Sequence, residues 1–151
     1  AASALALAKR TRQVGENEVG SGLSARKAIE GSGTCIIAVG KMLEVAEKAA
    51  ASLAADGLDV SVWDARCCAP LDPEMIADAA AHDRVITIED GVRDGGIGMS
   101  IADAICAVDH STLVDVLGLP IKSIPYDPKS DAILSRFGLD AASVVALARN
   151  R

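Results

Sequence analysis

Val85-Ile86-Thr87-Ile88-Glu89-Asp90 runs directly into Gly91-Val92-Arg93-Asp94-Gly95-Gly96-Ile97-Gly98-Met99-Ser100. A short apolar run ends in two carboxylates, a glycine-dense turn follows, and a helical pattern opens at Ile97 and continues to Val108. That is a strand, a turn and a helix, with backbone N–H groups converging where negative charge is favourable. The glycines also remove the Cβ atoms that keep another backbone at a distance, which suits a ligand or a neighbouring domain equally well.

The same alternation extends on both sides of this unit. Upstream, Cys35-Ile36-Ile37-Ala38-Val39 is a continuous apolar run of the kind buried on both faces of a parallel sheet. From Lys41 to Asp56 the positions Met42, Ala46, Ala49 and Leu53 form one helical stripe, Glu44 and Lys48 pair on the outer face, and Gly57 is the stop. Val60 to Trp63 reads as the next strand, ending at Asp64-Ala65-Arg66, and Asp72 with Pro73 supplies the cap and first turn of a short helix to about Ala81. Downstream, Leu113 to Leu117 is a strand. Asp127 and Pro128 open a helix that ends at Gly138, and Asp140 caps a last helix reaching Arg149. Ala25 to Glu30 reads as a short edge strand, and residues 1–24 as a weakly ordered lead-in or linker before a domain over 25–151. Strands alternating with helices at this spacing predict a three-layer α/β/α fold with a mostly parallel sheet.

Composition narrows the function classes. The chain has 151 residues, half of them hydrophobic, enough for one domain with a core. A net charge of −6 argues against a sequence-independent grip on nucleic-acid phosphates. No apolar run approaches the roughly 20 residues that span a bilayer, and no targeting signal stands out, so a soluble cytoplasmic protein is expected. The four cysteines, Cys35, Cys67, Cys68 and Cys106, lack CxxC spacing, and the two histidines are too few to complete a metal site, which predicts reduced thiols.

Each candidate site has a plain structural rival. Glu89 and Asp90 are adjacent and point in different directions, so a solvated rim or a salt bridge to Arg93 or Arg66 explains them more simply than an acid–base pair. The glycine spacing is not a nucleotide fingerprint. Cys67 beside Cys68 invites a reactive-thiol reading, yet nothing in the sequence marks His82 or His110 as the base. Trp63, Tyr126 and Phe137 are read as packing residues. No catalytic, cofactor-binding or metal-ligating residue is assigned.

Gly40-Lys41-Met42-Leu43 after an apolar strand, Val62-Trp63-Asp64-Ala65-Arg66-Cys67-Cys68-Ala69-Pro70-Leu71-Asp72, Ile88-Glu89-Asp90-Gly91 and Gly95-Gly96-Ile97-Gly98 together carry a resemblance. Over about Ala25 to Arg149 the chain resembles the C-terminal domain of transketolase-like thiamine diphosphate enzymes. Its Asp-Ala-Arg and Pro-Leu-Asp wording is most similar to the 1-deoxy-D-xylulose-5-phosphate synthases. The chain departs from that pattern at Tyr126-Asp127-Pro128-Lys129, where an aspartate-histidine-glycine stretch would stand.

The resemblance implies a five-stranded sheet with one antiparallel edge strand. It implies thiamine diphosphate and Mg²⁺ in a longer parent enzyme, held by preceding domains, and a reaction of pyruvate with glyceraldehyde 3-phosphate that opens the isoprenoid route. It also implies that this chain is a fragment, inactive alone, whose partners are those domains and a second subunit in a homodimer, with neither nucleic acid nor membrane. Gly40, Lys41, Asp64, Arg66, Glu89, Asp90, Gly95, Gly96 and Gly98 are then the expected interdomain or dimer contact, the last three allowing close backbone approach across it. Competing readings are the equivalent domain of a 2-oxo acid dehydrogenase β subunit, a stand-alone module binding a small anion through Lys41 and the helix start after Gly98, and a small enzyme using Asp64, Glu89 or Cys67.

Overall fold

A computed structural model of the chain describes residues 24–122 and 130–150. The lead-in read over 1–24 lies outside them except for Ser24, as do Tyr126 and the helix start at Asp127 and Pro128.

Five strands, β1 (Arg26–Ile29), β2 (Thr34–Ala38), β3 (Val60–Asp64), β4 (Arg84–Val92) and β5 (Leu113–Leu119), form one sheet in the order β1-β3-β2-β4-β5. β1 pairs antiparallel with β3, and every other pairing is parallel. The helices are α1 (Leu43–Ala55), entered through a 3₁₀ turn at Gly40–Met42, then α2 (Pro73–Ala80), α3 (Ile97–Val108), α4 (Ser130–Arg136) and α5 (Ala141–Arg149).

The pleat sorts the core into two layers. Ile36, Ala38, Val62, Ile86 and Ile88 face one side and pack with Met42, Ala46, Ala49 and Leu53 of the α1 region and Val144, Val145 and Ala148 of α5. Cys35, Ile37, Trp63 and Val85 face the other, against Met75, Ile76 and Ala79 of α2 and Ile101 and Ile105 of α3. Successive strand residues point to opposite faces, so apolar runs without alternation serve both layers at once. This is the three-layer α/β/α sandwich.

Local chemistry sets the helix ends as the sequence indicates. The Asp72 side chain accepts N–H from Glu74 and Met75, with Pro73 in the first turn, and Asp140 accepts N–H from Ser143. Lys48 reaches Glu44 at 2.7 Å on the outer face of α1. Three boundaries differ from the sequence reading. The first turn expected of α1 is 3₁₀, β5 runs on to Leu119, and β4 continues through Glu89, Asp90 and Gly91 to Val92. Glycine at 91 does not end β4, because after an irregularity beyond Ile88 the ladder resumes with Val92 opposite Leu119.

Candidate functional site

Parallel α/β sheets gather ligands and partners at the carboxyl ends of their strands. Here that edge is built from the residues after β2 and β3 and from the end of β4. Glu89 and Asp90 diverge, as neighbours on a strand must. Glu89 is only 7 % exposed, and its carboxylate accepts N–H from Gly98 at 2.9 Å and from Ile97 at 3.3 Å. Asp90 turns outward and pairs with Lys41 at 2.9 Å. The expected rivals, salt bridges to Arg93 or Arg66, are replaced by backbone amides in one case and Lys41 in the other.

The negative charge favoured at the start of α3 is therefore the chain's own. Two orphan donors of the helix N-terminus and its partial positive charge are satisfied from the preceding strand. The glycine turn is shaped around this carboxylate. A Cβ at Gly96 would stand 2.2 Å from the Val92 carbonyl oxygen and 2.4 Å from Glu89 Oε1, and one at Gly98 would stand 2.6 Å from Thr87 Oγ1. What stands at these two Cβ positions is the chain's own Val92, Glu89, Thr87 and Val116. Gly95 is different: at φ +78° nothing stands within 4 Å of its Cβ position, so it serves the turn's conformation.

Beyond β3 the edge bends sharply. Arg66 has φ +53°, and the Cys67 N–H donates to the Ala65 carbonyl at 2.5 Å, a γ-turn of the strained, positive-φ kind. Asp64 beneath it has its carboxyl pushed up by burial, opposed by the charges of Arg26 and Arg66. Gly40 turns the chain out of β2 at φ +59° and presents Lys41 toward Asp90. The structure thus brings Glu89, Gly96 and Gly98 into one closed unit with Lys41–Asp90 beside it, and leaves Asp64 and Arg66 in a separate turn. Around the glycine turn Val92 is 44 % and Met99 42 % exposed.

Two side-chain clusters escaped the sequence reading. Asp78 on α2 accepts from Lys27 Nζ at 2.9 Å and Trp63 Nε1 at 2.7 Å. Its neighbour His82 is buried between Ser61 and the Gly33 carbonyl. Burial raises the Asp78 carboxyl's pKa, but its two donors outweigh this and hold it below the usual carboxylate range. On α3, Cys106 Sγ lies 3.3 Å from His110 Nδ1. Spacing of four along a helix was the available signal for that pair. His110 falls beyond the helix end, which hid it.

Residues 24–144 match the family model described as transketolase, C-terminal domain. The chain is 32% identical over 130 residues to a 1-deoxy-D-xylulose-5-phosphate synthase of Magnetococcus marinus, covering 84% of this chain and 20% of that protein. It is 37% identical over 111 residues to 1-deoxy-D-xylulose-5-phosphate synthase 1 of Kitasatospora griseola, covering 74% and 17%. It spans a fifth or less of the length of these two relatives. Among solved structures, a split-gene transketolase described as an inactive β4 tetramer superposes with a TM-score of 0.73 at 28% identity, over 83% of this chain and 41% of that one. A transketolase from Campylobacter jejuni matches with a TM-score of 0.59 at 17% identity over 91% of this chain and 19% of that one, a likeness of fold alone.

Proposed function

We propose, because the chain belongs to the transketolase C-terminal domain family, that it is the assembly domain of a thiamine diphosphate-dependent transferase of the 1-deoxy-D-xylulose-5-phosphate synthase kind. The parent enzyme would condense pyruvate with glyceraldehyde 3-phosphate and release carbon dioxide. This domain would dock its carboxyl edge on the preceding domains or a second subunit. The observation that carries the reading is the closed state of that edge. Its best anion donors, the Ile97 and Gly98 amides, are taken by Glu89, and its lysine, Lys41, is paired with Asp90. A surface with exposed Val92 and Met99 remains, suited to a protein neighbour. The same closure disfavours the small-anion module.

The residues present do not fit a diphosphate–Mg²⁺ group. A phosphate at the start of α3 would have to displace a buried carboxylate, and among the described residues no group of three or more His, Cys, Asp or Glu is placed to hold a metal ion. On this reading the cofactor is held by other domains of the parent enzyme, and the chain alone is expected to be inactive. The inactive β4 tetramer described for the split-gene transketolase supports both that expectation and self-association.

The test is a Val92→Asp, Met99→Asp double variant in the polypeptide that carries this domain. Both side chains are exposed, so folding should survive. Lost assembly in sedimentation velocity, with lost conversion of pyruvate and glyceraldehyde 3-phosphate, is the expected result. Unchanged sedimentation and turnover would remove the reading.

A further inference from the structure

We propose that Cys106 and His110 form a thiol–imidazole pair that makes Cys106 this chain's site of thiol–disulfide exchange with low-molecular-weight disulfides. Nothing in the assembly role calls for this pair, and the inference does not depend on that role.

The geometry is that of a nucleophile beside its base. Cys106 lies on the last turn of α3 and His110 just past its end, both exposed, with Sγ 3.3 Å from Nδ1. With the ring proton on Nε2, Nδ1 accepts from the thiol. The loop carrying His110 is pinned on either side. The Asp109 N–H closes the helix on the Ile105 carbonyl at 2.9 Å, and the Asp109 carboxylate accepts from Ser111 N and Oγ at 2.8 and 2.7 Å.

The other thiols lack this arrangement. Cys35 is fully buried, and burial pushes its thiol up to about 12. Burial also pushes the Cys68 thiol up. Cys67 is half-buried and gives its S–H to the Ala69 carbonyl at 3.6 Å. Location separates the pair from the proposed contact as well. Because α3 starts at the carboxyl edge and runs back across the sheet, its end lies at the opposite, amino edge, beside the start of β5. A thiol there stays accessible when the carboxyl edge is covered.

The exchange balances without any further reagent. His110 Nδ1 takes the Sγ proton, and the thiolate attacks one sulfur of a disulfide RS–SR. The Sγ–S bond forms as the S–S bond breaks, and the departing RS⁻ takes the proton back from the imidazolium. The products are the protein mixed disulfide and RSH. The two-electron oxidation of Cys106 is matched by reduction of the leaving sulfur.

The experiment treats the 151-residue chain, with the chromogenic aromatic disulfide that releases thionitrobenzoate, at pH 7, and maps the modified peptide by mass spectrometry. The fast phase is expected on Cys106 and should vanish in Cys106→Ser. An isolated thiol is only a few per cent ionised at this pH, so His110→Ala should slow the fast phase about tenfold. Free imidazole added to His110→Ala should restore the rate without accelerating the wild type comparably, a rescue that a structural role for His110 would not produce. A fast phase on Cys67 or Cys68, an unchanged rate in His110→Ala, or no rescue by imidazole would overturn the proposal.

Discussion

Glu89 Oε1 accepts the backbone N–H of Gly98 at 2.9 Å, so the last buried residue of one strand caps the helix that follows it. A turn shaped to hold an anion holds one supplied by its own chain. The carboxylate needs close backbone on three sides, which explains why the segment from Gly91 to Gly98 is rich in glycine and yet is not a nucleotide-binding loop.

Removing that carboxylate leaves the Ile97 and Gly98 amides without their partner inside the fold. Glu89→Ala should lower stability by about 2 kcal/mol, and Glu89→Gln, which keeps one acceptor oxygen but loses the charge, by about half as much. Urea unfolding at pH 7, followed by the fluorescence of buried Trp63, gives both values. Equal midpoints for Glu89→Ala and wild type would show that the cap contributes nothing.

Two adjacent glycines should respond differently. Gly96→Ala places a methyl group against the Val92 carbonyl, which is backbone and cannot swing aside, and should cost about 3 kcal/mol. Gly95→Ala meets no atom but must hold φ near +78°, and should cost about 1 kcal/mol. Thermal unfolding of the two variants in parallel checks the order. The reverse order would mean that turn conformation outweighs close approach.

Asp72 ties two segments together, accepting from Ala25 N at 2.8 Å as well as from Glu74 and Met75 at the start of α2. Burial raises its pKa, and the three amides overcome this and hold it below the usual carboxylate range. A depressed folded-state pKa contributes stability that is present above the unfolded value and is lost as pH falls through the folded one. Asp72→Ala should therefore cost about 1 kcal/mol at pH 7, by the usual worth of an N-cap. The gap to wild type should close as the solution is acidified below pH ~4. Denaturant titrations across pH 2 to 7 would test this, and a pH-independent gap would contradict it.

Lys41 and Asp90 make the opposite case. Their side chains are 50% and 43% exposed, so solvent screens the pair. Lys41→Met should change stability by less than ~0.5 kcal/mol. If the carboxyl edge is the docking surface, the same substitution should still weaken assembly of the longer polypeptide, measurable by sedimentation at two salt concentrations.

Much of the fold was legible because its signals are local. Asp72 before Pro73, Asp140 before the last helix and the apolar stripe of α1 act within one or two turns of chain, and each stands where the sequence placed it. The end of β4 was not legible. Gly91 looks like a turn residue, and only the pairing of Val92 with Leu119, distant in sequence, keeps it in the ladder. The Asp78 cluster was hidden for the same reason, since Lys27 comes from β1, Trp63 from β3 and Asp78 from α2.

The sequence by itself determined the alternation of strands and helices, their caps, and the position of the glycine turn at a strand's carboxyl end. These follow from side-chain periodicity and backbone preference, which act over a few residues. The tertiary structure decided what satisfies that turn. On paper a ligand and a neighbouring domain suited it equally, and Glu89 and Asp90 read as a solvated rim or as partners of Arg93 or Arg66. The pleat separates the two carboxylates, directing Glu89 inward, where burial leaves the amides of α3 as its partners, and Asp90 outward to Lys41. Which of two adjacent charges faces the interior depends on the register of β4 among its neighbours, and that register is a property of the assembled sheet.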